Sequence, residues 1–361
     1  MGMHVVVMAG GAGVRFWPRS RTARPKQLLP IIGSESMLRQ TLRRVSPLNP
    51  ESLMVITNAQ QGESVREDLL CLGAELGDRL RLVVEPAAKN TAPALALGAA
   101  LLAREDSGGS MLVLPADHHI GRPGDFRALL LAAEEAARTG ALVTLGIRPT
   151  RPATGYGYLE LGRPAAPAHG VPVHVVRSFK EKPDRVLAER YLASGRYLWN
   201  SGMFIWQIKS FLEALARHMP DLHGAAEMVR RAESDSARAR AVDEMFRDTV
   251  SESVDYGVME KHEHVLVLPA EIDWSDLGGW DSLARESPPN FGSNTVLGDA
   301  RAIGCRDCFV QAGSRFVGVV GATELVVVET EDAVLVCPRD RAQDVKRLVA
   351  ELERAGRDEL L

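Results

Sequence analysis

The stretch His4-Val5-Val6-Val7-Met8-Ala9-Gly10-Gly11-Ala12-Gly13-Val14-Arg15-Phe16-Trp17-Pro18 runs from unbroken apolar residues directly into glycines. A run without alternation suits a strand buried on both faces, as in a parallel sheet. The glycines that follow let backbone N–H groups reach phosphate oxygens with no Cβ in the way. Neither familiar phosphate loop fits. The dinucleotide fingerprint counted from Gly11 requires glycine where Phe16 stands, and the Gly-Lys pair of the P-loop occurs nowhere in the chain. Charge is segregated as well: Arg15, Arg19, Arg21, Arg24 and Lys26 all precede the first acidic residue, Glu35. Such a run suits a polyanion of the triphosphate kind.

Outward from this stretch the pattern repeats. Leu53–Thr57, Leu80–Glu85 and Met111–Pro115 are short apolar runs, and Met37–Val45, Glu63–Leu72, Pro93–Arg104 and Phe126–Arg138 have helical spacing. The alternation predicts an α/β fold: a Rossmann-like, mostly parallel sheet with helices on both faces. Ligands in such folds bind beyond the carboxyl ends of the strands. Further along, Gly155–Leu161 and Val173–Phe179 read as strands, and Asp184–Leu192 and Lys209–Arg217 as helices. Arg230–Arg247 reads as one charged, alanine-rich helix in a solvated outer layer. After Pro288-Pro289, short β-branched runs (Phe316–Val320, Leu325–Glu329, Ala333–Val336) lead to a helix over Asp340–Glu353. This change of texture divides the chain into residues 1–287 and a small C-terminal β-rich domain, 288–361.

Composition narrows the class. Of 361 residues, 45% are hydrophobic and 25% charged, enough for a large core. A formal charge of -4 argues against a nucleic-acid coat, which needs a broad basic surface. Four cysteines are too few for a disulfide framework and point to reduced thiols and a cytoplasmic setting. Cys305 and Cys308 form one CxxC without a second pair and read as a turn between strands. The longest apolar helix, Ala92–Ala103, falls short of the roughly 20 residues needed to cross a bilayer, and no signal-peptide pattern opens the chain.

Gly10-Gly11-Ala12-Gly13-Val14-Arg15-Phe16-Trp17-Pro18-Arg19-Ser20-Arg21, followed by Pro25-Lys26-Gln27, resembles the signature of the sugar-1-phosphate nucleotidyltransferases. The Trp-Pro-x-Ser-Arg form is most similar to members that join GTP to mannose 1-phosphate, giving GDP-mannose and pyrophosphate. The resemblance implies that Ala9, Gly10, Gly11 and Gly13 wrap the nucleotide phosphates. It implies that Arg15 and Lys26 neutralise the triphosphate and the departing pyrophosphate. It also implies a left-handed β-helix at the C-terminus and, commonly, a homodimer. The alternatives are another NTP or hexose 1-phosphate, or a regulatory homologue without turnover. Arg15, Lys26, Asp117, Lys182 and Asp276 together weigh against the last.

Asp117, in Pro115-Ala116-Asp117-His118-His119, follows a strand and by itself suits a metal or a capping role equally. The resemblance assigns it to Mg²⁺, with His118 and His119 packing the loop. A second ligand comes from Ile272-Asp273-Trp274-Ser275-Asp276-Leu277-Gly278. Spacing does not choose between Asp273 and Asp276; the family pattern Trp-Ser-Asp-x-Gly maps onto Asp276. Glu85 through Ala94 ends a strand and starts a helix at Asn90 and Thr91, a stretch the family uses around the base. Glu85 is the carboxylate able to accept from both donors on guanine's edge. Lys89 stands where the family usually has arginine, so a bidentate contact is not carried over. For the sugar, Gly157 allows close backbone approach, Glu181 binds hydroxyls, Lys182 holds the sugar phosphate, and Asn200 both donates and accepts. Val254–Lys261 also resembles a family motif, its Asp255, Glu260 and Lys261 without assigned roles.

Overall fold

The computed structural model describes residues 2–11 and 13–361; Met1, and Ala12 within the glycine loop, lie outside the described residues. Strands β1 (Met3–Met8), β2 (Ser52–Asn58), β3 (Leu80–Glu85) and β4 (Ser110–Pro115) pair in parallel, in the order β3-β2-β1-β4. Helices α1 (Met37–Val45), α2 (Gly62–Leu76) and α3 (Thr91–Glu105) connect them. Val5 and Val7 face one core with residues of α1 and α2, while Val6 faces another with α3. Unalternated valines therefore fill both faces at once.

The chain continues through β5 (His119–Ile120), α4 (Pro123–Ala137), β6 (Leu142–Ile147), β7 (Tyr158–Pro164), β8 (His174–Lys180), α5 (Arg185–Ser194) and β9 (Tyr197–Gln207). Then come α6 (Ile208–His218), α7 (Pro220–Arg231), α8 (Asp235–Asp248), β10 (Val265–Ala270), β11 (Trp274–Ser275) and α9 (Trp280–Glu286). The finished sheet has nine strands, ordered β3-β2-β1-β4-β9-β6-β10-β8-β7. It is parallel through its first half and mixed beyond, because β9, β8 and β7 enter by antiparallel pairing.

Three local readings change. The charged segment 230–247 is two helices: α7 stops at Arg231, and Ser234 caps α8 by accepting from the Ala237 N–H. It is not wholly solvated either, since Ala241, Met245 and Phe246 pack into the core beside α3. Alanine-rich spacing still turns one apolar residue per turn inward. The strand expected from Gly155 starts at Tyr158, which leaves Gly155–Gly157 as a loop. The last helix is a 3₁₀ stretch, Arg339–Asp344, followed by α10 (Val345–Arg354).

Strands β12 (Thr295–Leu297), β13 (Ala300–Ile303), β14 (Phe309–Gln311), β15 (Val317–Val320), β16 (Leu325–Glu329) and β17 (Val334–Pro338) build the C-terminal unit. Parallel pairing skips one strand each time, β12 to β14 to β16 and β13 to β15, so the backbone coils as a β-helix that antiparallel β17 closes. Cys305 and Cys308 sit in the turn between β13 and β14 as free thiols. This coil packs against the back of the glycine loop. Phe16 and Trp17 share a core with Trp280, Phe309, Val326 and Val328. Trp280 Nε1 donates to Trp17 O at 2.8 Å, Trp17 Nε1 donates to Leu360 O at 2.8 Å, and Arg21 pairs with Asp332 at 2.8 Å. Among the described residues, no helix is long and apolar enough to cross a membrane.

Candidate active site

The loop after β1 is held by its carbonyls. Gln27 Nε2 and Thr57 Oγ1 donate to Ala9 O (2.7 and 3.1 Å), Asn58 Nδ2 to Gly10 O (3.0 Å), and Gln61 Nε2 to Gly11 O (3.2 Å). With the carbonyls engaged, an anion approaching the loop meets N–H groups rather than lone pairs. Gly13 has φ +61°, and a Cβ there would collide with the Cβ and backbone nitrogen of Lys26. Gly13→Ala is therefore expected to remove at least about 2 kcal/mol of stability, from the positive φ and the collision together. A urea titration reads this directly, and a parental midpoint with parental turnover would contradict it.

Asp117 and Asp276 are far apart in sequence and are joined by a two-residue antiparallel ladder, in which β5 pairs Ile120 with Trp274 and His119 with Ser275. Buried Lys26 locks the junction. Its Nζ donates to Asp117 Oδ2 at 2.8 Å and to the Asp276 carbonyl at 2.6 Å, leaving one N–H for a ligand. Burial opposes ionisation of Asp117, but the adjacent Lys26 charge, which also donates a hydrogen bond to the carboxylate, outweighs it and holds the carboxyl below its ordinary range. His118 itself is pushed down by burial, and its Nδ1 accepts from Trp274 Nε1 at 3.1 Å, as a neutral ring must. His118 thus packs against Trp274.

Two concavities meet at these carboxylates. One, about 430 Å³, is lined by Gly10, Gly11, Glu85, Asn90, Thr91, Gly157, Glu181, Asn200 and Asp255. The other, about 260 Å³, is lined by Gly13, Arg15, Phe16, Lys26 and Gly278. Asp117, His118 and Asp276 border both. Arg15, exposed, reaches across to Gly278 O at 2.9 Å.

At one end of the larger cleft, Glu85 is 5% exposed and its Oε2 meets no hydrogen-bond donor among the described residues. Burial pushes its pKa up to about 7. Asn90 accepts from the Thr91 N–H and starts α3, while Thr91 Oγ1 accepts from the Val254 N–H at 2.9 Å. At the other end, a Cβ on Gly157 would fall on Glu181 Oε2, a second buried oxygen that meets no donor among the described residues. Asn200 Oδ1 accepts from Thr144 Oγ1 (3.0 Å) and the Gly202 N–H (3.3 Å), while its Nδ2 donates to Asp255 Oδ1 (2.8 Å). The amide expected to donate and accept is thereby fixed with its oxygen engaged by the protein. Glu260 accepts from the Glu181 N–H at 2.7 Å. Burial first, then the neighbouring Glu181 charge, raises Asp255 to about 7.

Other expected residues are placed differently. Of the five cations in the acid-free run, only Arg15 and Lys26 border the concavities. Arg21 is drawn off to Asp332, because the loop must also hold the C-terminal coil, and Arg19 turns toward the nearby Pro30 O. Lys182 is half exposed, has φ +45°, and pairs with Glu181 at 3.1 Å just outside the larger cleft's lining. Asp273 pairs with Arg122 on the surface at 3.1 Å and borders neither concavity. Lys89 donates to Arg247 O and Thr249 O, tying α3's start to α8. Sequence reading missed Asn58, Gln61, Thr144 and Tyr156. Only Tyr156, between two glycines, carried a local signal.

A parallel sheet with a glycine loop at its carboxyl edge, joined to a cation-and-carboxylate junction, defines an enzyme that handles phosphate esters. The nucleotidyl transferase family model matches residues 4–289, and the mannose-P isomerase/GMP-like β-helix domain model matches residues 298–352. The chain belongs to the nucleotidyl transferase family. It is 42% identical over 355 residues to a mannose-1-phosphate guanylyltransferase of Klebsiella pneumoniae, covering 98% of this chain and 74% of that one. A mannose-1-phosphate guanylyltransferase of Escherichia coli K12 is also 42% identical, over 99% of this chain and 75% of its own. The crystal structure of a mannose-1-phosphate geranyltransferase from Thermus thermophilus superposes with a TM-score of 0.85 at 36% identity, covering 98% of this chain and all of that one.

Proposed function

We propose that this chain is a mannose-1-phosphate guanylyltransferase, converting GTP and α-D-mannose 1-phosphate to GDP-mannose and pyrophosphate. One observation carries the mechanism: Asp117 and Asp276 border both concavities, so a bond broken between them divides its products. The larger cleft suits the nucleoside and sugar, and the smaller, with Arg15 and Lys26, suits the pyrophosphate. An oxygen of the sugar phosphate attacks the α-phosphorus, and the bond from that phosphorus to the β-phosphate's bridging oxygen breaks. Glu85 accepts from guanine N1–H and the N2 amino group. Asn90 and Thr91 flank the nucleoside; Gly157, Glu181 and Asn200 form the sugar floor. Such chemistry depends on positioning and charge neutralisation.

Asp117 and Asp276 would hold Mg²⁺, which supplies positive charge to phosphate oxygens. The donor set fits. Asp276 Oδ2 meets no protein donor among the described residues, whereas its Oδ1 accepts twice. No cluster of three or more His, Cys, Asp or Glu groups forms a closed cage among the described residues. Two carboxylates facing a phosphate site is the arrangement Mg²⁺ takes. Residues 1–287 form the catalytic unit in this reading, and 288–361 brace it, in a cytoplasmic enzyme.

Pyrophosphate release measured over four NTPs and several hexose 1-phosphates tests the reading, which fails if GTP with mannose 1-phosphate is not the preferred pair. Lys182 gives a narrower test. Swinging from Glu181 to a bound sugar phosphate makes one charged hydrogen bond. Lys182→Ala should raise the apparent KM for mannose 1-phosphate by roughly 10–100-fold. GTP affinity, titrated without sugar, should stay as it is. The reverse pattern would exchange the two phosphate subsites.

A further inference from the structure

The loop that carries Gly157 also carries Tyr156, and this tyrosine turns toward the carboxylate junction. Its hydroxyl donates to Asp276 Oδ1 at 2.7 Å, joining residues 120 positions apart. The same Oδ1 accepts from the Gly278 N–H at 3.2 Å. With both donors on one oxygen, the carboxylate cannot rotate without losing them, and Oδ2 is the oxygen presented to a cation.

The phenol is itself held. Trp199 meets its ring edge-to-face at 4.9 Å and Trp274 at 5.6 Å. The Arg151 guanidinium stands 5.5 Å from the ring centroid, and its Nη2 donates to the Tyr156 hydroxyl at 3.3 Å. That donation leaves the hydroxyl hydrogen for Asp276, because an oxygen receiving from Arg151 directs its own proton elsewhere. Three packed neighbours hold the half-buried ring of this tyrosine in addition to the two contacts of its hydroxyl. A ring so constrained places its oxygen within a narrow range, as an orienting group must.

We infer that Tyr156 is a positioning residue for the metal: it orients Asp276, through the hydroxyl contact, so that Oδ2 faces the bound cation. It also ties the sugar-floor loop to the metal carboxylate through a single side chain. The inference rests on the reading of Asp276 as a metal ligand.

Tyr156→Phe keeps the ring and its packing and removes only the hydroxyl. Mn²⁺ is titrated into the full chain saturated with GDP-mannose, and binding is followed as loss of the free-ion electron paramagnetic resonance signal. Loss of an outer hydrogen bond to a metal carboxylate predicts affinity weaker by about tenfold. The half-saturating Mg²⁺ for turnover should rise by the same factor. The KM for mannose 1-phosphate at saturating metal should stay within twofold, and the urea midpoint should not move. Asp276→Asn separates the two layers of the claim. If that variant binds Mn²⁺ like the parent, the metal reading itself fails. If it loses Mn²⁺ while Tyr156→Phe binds normally, the positioning role alone is wrong. A raised mannose 1-phosphate KM with parental Mn²⁺ affinity would make Tyr156 a sugar contact and overturn the proposal.

Discussion

Replacing Asp117 with asparagine should lower kcat by roughly 10²–10³, the usual cost of deleting one preorganised electrostatic group from a phosphate or oxyanion site. The fold should survive the change. Asparagine keeps the size of the side chain and an oxygen to accept from Lys26 Nζ, so the buried ammonium retains both of its contacts. Asp276→Asn should show a loss of the same order, since the two carboxylates border the same pair of concavities. Asp273→Asn is the control. Its carboxylate is 62% exposed and pairs with Arg122 on the surface, where such pairs contribute about 0–1 kcal/mol, so turnover should change less than twofold. Pyrophosphate release at saturating Mg²⁺ measures all three. Near-normal turnover in the Asp117 variant, or a severe defect at Asp273, would remove the metal assignment.

The second large effect lies at Glu85 and has two opposite signs. A glutamine there can no longer accept from both guanine donors, and a site left with an unmatched buried polar group discriminates poorly. GTP affinity should fall by about 10–100-fold, and preference over ATP should shrink with it. Stability should move the other way. Burial raises the Glu85 pKa from 4.5 to about 7, so between those values the folded protein keeps a proton that the unfolded chain has released. Stability therefore falls as pH rises through that window. The glutamine variant escapes this loss and should be more stable than the parent by roughly 2–3 kcal/mol at pH 8, with the gap closing toward pH 5. GTP binding to the parent should strengthen as pH rises through 7, because the ionised form is the one that accepts twice. Chemical denaturation at pH 5 and 8, beside GTP and ATP titrations, checks each sign. An Oε2 that has found some other donor in solution would give no stabilisation at pH 8.

What could be read from the chain beforehand was the part written in short, local patterns. The apolar run into Gly10 and Gly11 and the acid-free stretch to Lys26 are consecutive residues legible by themselves, whereas the carboxylate after β4 could be placed at a strand end but took its role only from the resemblance. Features that depend on closure stayed hidden. Asn58 and Gln61 read as ordinary polar residues at a strand end, yet they turn the loop's carbonyls inward across 48 and 50 positions. Thr144 fixes the Asn200 amide from another strand. Charge counting overstated the anion site, because Arg21 serves a carboxylate 311 residues away. The helix break at Ser234 had its capping residue in plain view, but an alanine-rich background masked it. Spacing alone did not separate Asp273 from Asp276, because only the β5–β11 ladder decides which of them turns toward Asp117.

The seat of Trp17 bears on the order in which this molecule becomes active during synthesis. The phosphate loop lies within the first stretch of chain to be made, yet the residues packed behind it, Phe309, Val326 and Val328, come about three hundred positions later. Until they arrive, Phe16, Trp17 and Trp280 have only part of their apolar surroundings, from residues such as Leu29, Met37 and Leu283, and the indole of Trp17 has no Leu360 carbonyl to meet. A nascent chain can finish its parallel strands and still carry an unset loop. The final setting of the loop should then come late, once the C-terminal coil has been made.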